Sequence, residues 1–168
     1  MVAVIWTISK DQKTVTETVL KQNSSVYEYN AVSVAVDKNG DVWALTYRAN
    51  AFSNGGLKLY KNGNYQRRVT TDMNPNDCHF IAFHGSDQYV IVTNDPASEI
   101  RVYKNNSSSP LYKYTHQHYF TADKPYFNTK GDLFFSAFCS NERKSFLYKN
   151  GQQLYTLDES VRTMGVLY

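Results

Sequence analysis

The chain reads as all-β, and three features of it lead there: an internal repeat, apolar residues alternating at a period of two, and turn residues at regular intervals. The repeat is the strongest. Gly40-Asp41-Val42-Trp43 leads on to Leu57-Lys58-Leu59-Tyr60-Lys61-Asn62-Gly63. Ser86-Asp87-Gln88-Tyr89 leads on to Ile100-Arg101-Val102-Tyr103-Lys104-Asn105-Asn106, and Gly131-Asp132-Leu133-Phe134 to Ser145-Phe146-Leu147-Tyr148-Lys149-Asn150-Gly151. The Asp marker stands at 41, 87 and 132, spacings of 46 and 45. A period of roughly 40–50 residues filled with strand-like segments is the pattern of β-propeller blades. Helical periodicity is absent, with no stretch holding apolar residues at i, i+3, i+4 and i+7 over three turns.

Each element follows from its residues. In the first complete unit, 32–37 reads as an inner strand, 42–47 as a second, 57–61 as a third and 64–70 as the outer one. The turns between them carry Asn39-Gly40 and Asn62-Gly63, which supply the positive φ angles that hairpins need. The second unit reads as strands 80–83, 89–93, 99–104 and 111–114. The third reads as 125–128, 133–138, 145–149 and 153–157. The two chain ends are complementary remnants. Residues 163–168 look like an inner strand with no unit after it. Residues 2–8, 14–21 and 26–30 look like a second, third and outer strand with no inner strand before them. The expectation is one domain over 1–168, with blades at about 31–77, 78–123, 124–162, and 163–168 joined to 1–30. Strand exchange between the termini would close the ring and cover apolar sheet faces that an open array leaves bare. A two-chain ring and a different β-fold are the other readings.

Composition agrees. The chain has 168 residues, enough for one domain with a real core, and its 14 Tyr and 9 Phe favour pleated, half-buried surfaces. A net charge of +3, with no basic cluster beyond Arg67-Arg68, gives no footprint for nucleic acid. No apolar run approaches the roughly 20 residues of a membrane helix. The apolar opening 1–9 lacks a basic flank and a small-residue cleavage site, so it does not read as a signal peptide. Asn23, Asn105 and Asn106 fit the glycosylation acceptor pattern, as triplets in an Asn- and Ser-rich chain do by chance. The compartment stays open.

The segment Val34-Ala35-Val36-Asp37-Lys38-Asn39-Gly40-Asp41-Val42-Trp43-Ala44-Leu45 resembles the opening of a blade in NHL-type and gluconolactonase-like propeller repeats. Those repeats run from an apolar strand through Asp-x-Asn/Asp-Gly-Asn/Asp into an aromatic-bearing strand. The resemblance covers one blade well. Phe83-His84-Gly85-Ser86-Asp87 and Asn128-Thr129-Lys130-Gly131-Asp132 keep the turn and lose the leading Asp. What the resemblance implies is a propeller repeat; it is nearly silent on activity. The hemopexin signature of the best-known four-bladed rings is missing.

Few constellations carry chemistry. No Gly-x-Ser-x-Gly elbow, P-loop or dinucleotide glycine pattern occurs, and no nucleophilic triad can be composed. Residues 37–41 have the outline of a calcium loop, but Gly precedes the last Asp and no Glu follows at the EF-hand distance, so turn chemistry explains them. Lys61, Lys104 and Lys149 read as solvated turn residues, and Tyr60, Tyr103 and Tyr148 as packing residues between blades. Cys78 and Cys139 belong to the same end of neighbouring blades. A disulfide between them is geometrically conceivable, while free half-buried thiols are the commoner outcome. No metal site and no cofactor are expected.

Loop length is the functional clue. Connections at one end of the strands are tight. Those at the other (48–56, 71–79, 94–98, 115–124 and 140–144) are long and varied, and long loops on a rigid scaffold are where binding resides. The candidate ligand contacts are Phe52, Asp72, Asn74, Asp77, His79, Asp95, His116, His118, Tyr119 and Asp123. Alternation puts the rings of His116 and His118 on one side of an extended stretch. The expected function is a non-catalytic binding module for a sugar or protein ligand, as a monomer or small homo-oligomer. A calcium-dependent lactonase-like hydrolase and a structural ring that oligomerises through exposed aromatics are the alternatives.

Overall fold

The structure, a computed structural model, describes residues 3–8, 11–21, 30–48, 56–70, 79–94 and 98–158. These residues form strands and no helix, with fifteen strands in four antiparallel sheets. The chain divides into two compact units, Met1–Pro75 and Asn76–Tyr168.

In the first unit β1 (Val4–Ile8) pairs with β2 (Val15–Val19), Val4 opposite Val19 and Ile8 opposite Val15. The strands β3 (Asn30–Val36), β4 (Val42–Arg48), β5 (Gly56–Lys61) and β6 (Asn64–Thr70) form a meander in chain order. Its turns are set by local chemistry. Asp37 Oδ1 accepts the N–H groups of Asn39 at 2.9 Å and Asp41 at 3.0 Å, and Gly40 takes φ +84°. Such an Asx turn holds the chain in the reversal that joins β3 to β4. Between β5 and β6, Asn62 and Gly63 take φ +48° and +79°, the paired left-handed angles of a hairpin. Ala3, Ile5 and Leu20 pack on Ala44 and Tyr60, which joins the β1–β2 hairpin to the four-stranded sheet. Four successive residues of β5, Leu57 to Tyr60, are fully buried. Successive strand residues face opposite ways, so β5 is covered on both faces.

In the second unit β7 (His79–His84), β8 (Asp87–Asn94), β9 (Glu99–Lys104) and β10 (Tyr112–Thr115) repeat the meander. The other sheet holds β11 (Phe120–Ala122), β12 (Tyr126–Phe127), β13 (Leu133–Cys139), β14 (Lys144–Lys149) and β15 (Gln152–Leu157). The two sheets share a core. Tyr114 lies 4.4 Å from Tyr148 and 5.3 Å from Phe135, ring centre to ring centre, and Tyr89 lies 4.8 Å from Phe127. Aromatic pairs at such separations favour this tilted or edge-on packing.

Two expectations are corrected here. The sequence pattern puts the inner strand of the last sheet at 125–128, with 115–124 as loop. It instead comes in two pieces, β11 and β12, both paired with β13. Pro125 has no N–H to give the ladder, so the chain leaves it at 123–125 and returns. The break is tied down: Asp123 N–H donates to Ser136 O, and Ser136 Oγ–H donates to Asp123 Oδ2, each at 2.8 Å. Asn30, expected to end an outer strand, instead opens β3 opposite Tyr47. The other strands begin or end within two residues of the sequence reading, and β6 and β9 coincide with it. The expected strand 163–168 and most of 26–30 lie outside the described residues.

Candidate functional site

The residues that define the repeat form one device, built three times. At the start of each second strand an Asp meets the Lys and Asn that end the third. Lys61 Nζ lies 2.6 Å from Asp41, Lys104 Nζ 2.8 Å from Asp87 and Lys149 Nζ 2.9 Å from Asp132. The side-chain amides of Asn62, Asn105 and Asn150 donate to the same carboxylates at 2.7, 3.0 and 2.6 Å. Their Oδ1 atoms accept the N–H groups of Val42, Gln88 and Leu133 at 2.8, 2.9 and 2.8 Å. Each Lys also lies over the ring two positions beyond its Asp: Trp43, Tyr89 and Phe134, at 5.3, 5.6 and 5.5 Å. The lysines, expected to be solvated turn residues, keep about a third of their side-chain surface exposed and are also paired. Tyr60, Tyr103 and Tyr148 are buried.

These contacts move the carboxylates. Lys149, then Asn128 and Asn150, hold Asp132 down at about 2. Lys61 and Asn62 lower Asp41, and Lys104 and Asn105 lower Asp87. Asp37 is lowered first by the Trp43 indole N–H, which donates to Oδ2 at 3.0 Å. Both oxygens of Asp37 therefore serve the turn and the indole, as the turn-chemistry reading expects.

The opposite end of the last sheet holds a different set of groups. His116 lies in the connection from β10 to β11, Cys139 ends β13, and Glu142 stands in the turn from β13 to β14. One donor atom from each lies within 4.8 Å of the others. His116 Nε2 is 3.5 Å from Glu142 Oε1. His116 Nδ1 is 3.2 Å from both the N and the O of His118. The imidazole is fixed by a backbone bond from His116 N to Ser98 O at 3.0 Å and by the rings of Phe120 and Phe146, at 5.4 and 5.1 Å. Gln117 Nε2 donates to Glu142 Oε1 at 2.9 Å, and Lys144 Nζ lies 3.9 Å from Oε2. The Gln117 bond, helped by the charges of His116 and Lys144, lowers the Glu142 carboxyl against the opposing effect of burial. Cys139 is a free thiol with no exposed surface.

A nucleophile–base relay needs an imidazole standing between thiol and carboxylate, with a different nitrogen for each. Here Nε2 faces the carboxylate and Nδ1 faces backbone, so the geometry is one of convergence rather than relay.

The expected ligand contacts fall in several places. His116, His118 and Tyr119 lie together on the β10–β11 connection, with the two imidazole centres 6.2 Å apart. Asp123 is engaged with Ser136. His79 opens β7 opposite Val92 and is 2% exposed. Phe52, Asp72, Asn74, Asp77 and Asp95 lie outside the described residues, as does Cys78. Sequence reasoning missed Gln117, Cys139 and Glu142 as members of a site. The available signal was the two-residue spacing of Cys139 and Glu142 across a hairpin turn.

No protein-family model matches the chain, and no curated protein matches it. Among solved structures it is similar to a protein of unknown function from Bacteroides caccae, with a TM-score of 0.54 and 18% identity. The match covers 95% of this chain and 55% of that one. At this identity the likeness is one of fold. Among the described residues no helix is long and apolar enough to cross a membrane.

Proposed function

We propose that the chain is a small four-bladed β-propeller acting as a binding module, with a sugar or protein ligand taken at the long-loop end. Support for the ring comes from the repeat: the same meander, closed by the same Asp–Lys–Asn clasp, recurs at a period of 45 or 46 residues. The β1–β2 pair is a two-stranded sheet, marginal by itself. Residues 163–168 as a third strand on β1 would complete it.

One observation carries the binding reading. The clasps tie down one end of three sheets, and at the other end of the last sheet His116 and His118 lie beside Glu142, with Tyr119 next in the chain on the same connecting segment. Imidazole, phenol and carboxylate groups on a stiff β scaffold suit polar recognition with an aromatic stacking surface. A glycan array and a protein-binding screen of the full chain test this. The expected result is a ligand whose affinity falls at least tenfold in the double variant His118→Ala, Tyr119→Ala, with the far-ultraviolet spectrum unchanged. Equal affinity in that variant removes this end of the sheet as the binding surface.

A further inference from the structure

We propose that His116, Cys139 and Glu142 bind one divalent cation of the zinc class. The inference is independent of the sugar or protein ligand above.

The donor set comes first. An imidazole nitrogen, a thiol sulfur and a carboxylate oxygen converge within 4.8 Å. Zinc takes this mixture, at about 2.0–2.3 Å from each donor, which sets donor separations near 3.5 Å in a tetrahedral shell. His116 and Glu142 already stand at 3.5 Å. Closing the remainder, from 4.8 Å at most, takes up to about 1.3 Å of side-chain adjustment. Cys139 and Glu142 are separated by two residues across a hairpin turn, the same short spacing that places paired ligands in zinc sites. Calcium and magnesium seek several oxygens, and one carboxylate beside sulfur and nitrogen does not meet that need.

The surroundings fit as well. A metal-bound imidazole gives its second N–H to a carbonyl or carboxylate that fixes the ring. His116 Nδ1 stands 3.2 Å from both the carbonyl and the N–H of His118, and cation binding selects the tautomer in which Nδ1–H donates to the carbonyl and Nε2 is left for the cation. Gln117 fixes the carboxylate in the same way. Phe120 and Phe146 wall the imidazole, and Cys139 is fully buried. Low polarity there strengthens the attraction of a dication for a thiolate and a carboxylate, whose two negative charges it balances. Binding would release the thiol proton to solvent as the sulfur–metal bond forms. The side chains of His116 and Glu142 keep 17% and 20% of their surface exposed. Three protein ligands thus leave a fourth position on the solvent side, open to water or to a ligand atom.

The test uses the full chain without an affinity tag, stripped by chelator and titrated with cobalt(II), with zinc(II) in competition. The expected result is one cobalt per chain with a thiolate-to-metal charge-transfer band, reversed by zinc. The band should persist in Cys78→Ser and vanish in Cys139→Ser. Glu142→Gln, an isosteric change in the turn between β13 and β14 whose folding is checked by circular dichroism, should weaken cobalt by at least the 10–100-fold that loss of even an outer partner costs. Absence of the band in the folded wild-type chain overturns the proposal. So does unchanged affinity in Glu142→Gln, which decides the matter even if Cys139→Ser does not fold.

Discussion

Replacing Asn150 with Ala isolates the clasp that the repeat encodes. Asn150 Oδ1 accepts the Leu133 N–H at 2.8 Å, and Leu133 is 2% exposed. Ala leaves that N–H without its acceptor, at a cost of about 1–3 kcal/mol. Asn150 also holds φ +46°, where Ala is disfavoured by roughly 1 kcal/mol. The two effects together predict a loss of about 3 kcal/mol. Gly removes the acceptor but tolerates the backbone, so Asn150→Gly should lose only about 2 kcal/mol. For a chain of this size each kcal/mol shifts Tm by about 2–4 °C, which places Asn150→Ala about 6–12 °C below wild type. Urea and thermal unfolding followed by far-ultraviolet circular dichroism measure both. Trp6 and Trp43 both belong to the first unit, so tryptophan fluorescence would report the wrong part of the chain. A loss within about 0.5 kcal/mol, typical of an ordinary surface change, refutes the structural role of the clasp. Asn150→Gly as damaging as Asn150→Ala would refute the backbone share of it.

Other expectations follow from neighbouring contacts. Glu99 is 7% exposed, with Arg101 2.7 Å from Oε2 and Lys113 2.5 Å from Oε1. Glu99→Gln should cost about 1.5–3 kcal/mol in urea unfolding, the range for hydrogen bonds to charged groups, and a loss below about 0.5 kcal/mol would sink that reading. Asp41, Asp87 and Asp132 are all held below the usual carboxylate range, so the folded chain binds fewer protons than the unfolded one in acid. Their stabilisation is complete above the unfolded Asp value of about 3.9 and falls away as pH drops from there through the folded values, about 2 for Asp132. A urea midpoint flat between pH 5 and pH 2.5 would contradict it. Deleting residues 163–168 should destabilise the chain by about 3 kcal/mol or more if they close the ring, and near-wild-type melting would count against closure.

Much of the fold was legible because its signals are local. Asn-Gly and Gly-Asp turns name their own geometry, and period-two burial needs only a few residues to show. Of the divided inner strand, β12 falls inside the expected 125–128, while β11 was missed because its alternation, Phe120-Thr121-Ala122, is short and Pro125 separates it from β12. The clasp was visible as a repeat but not as a contact. Nothing in the residues says that Asp41 meets Lys61 twenty positions on until β4 and β5 are paired and brought into register.

By itself, the amino-acid sequence determined that the chain is made of strands, where most of them turn, and that one structural unit recurs. Those properties depend on backbone preferences and on side chains within a few positions of one another. Only the tertiary structure decided that Gln117, Cys139 and Glu142 belong beside His116. Their meeting requires β11 to lie against β13, so that the connection leading into β11 comes down next to the turn leaving β13. Donor atoms more than twenty residues apart converge through strand register, and register is settled by the packing of the whole sheet.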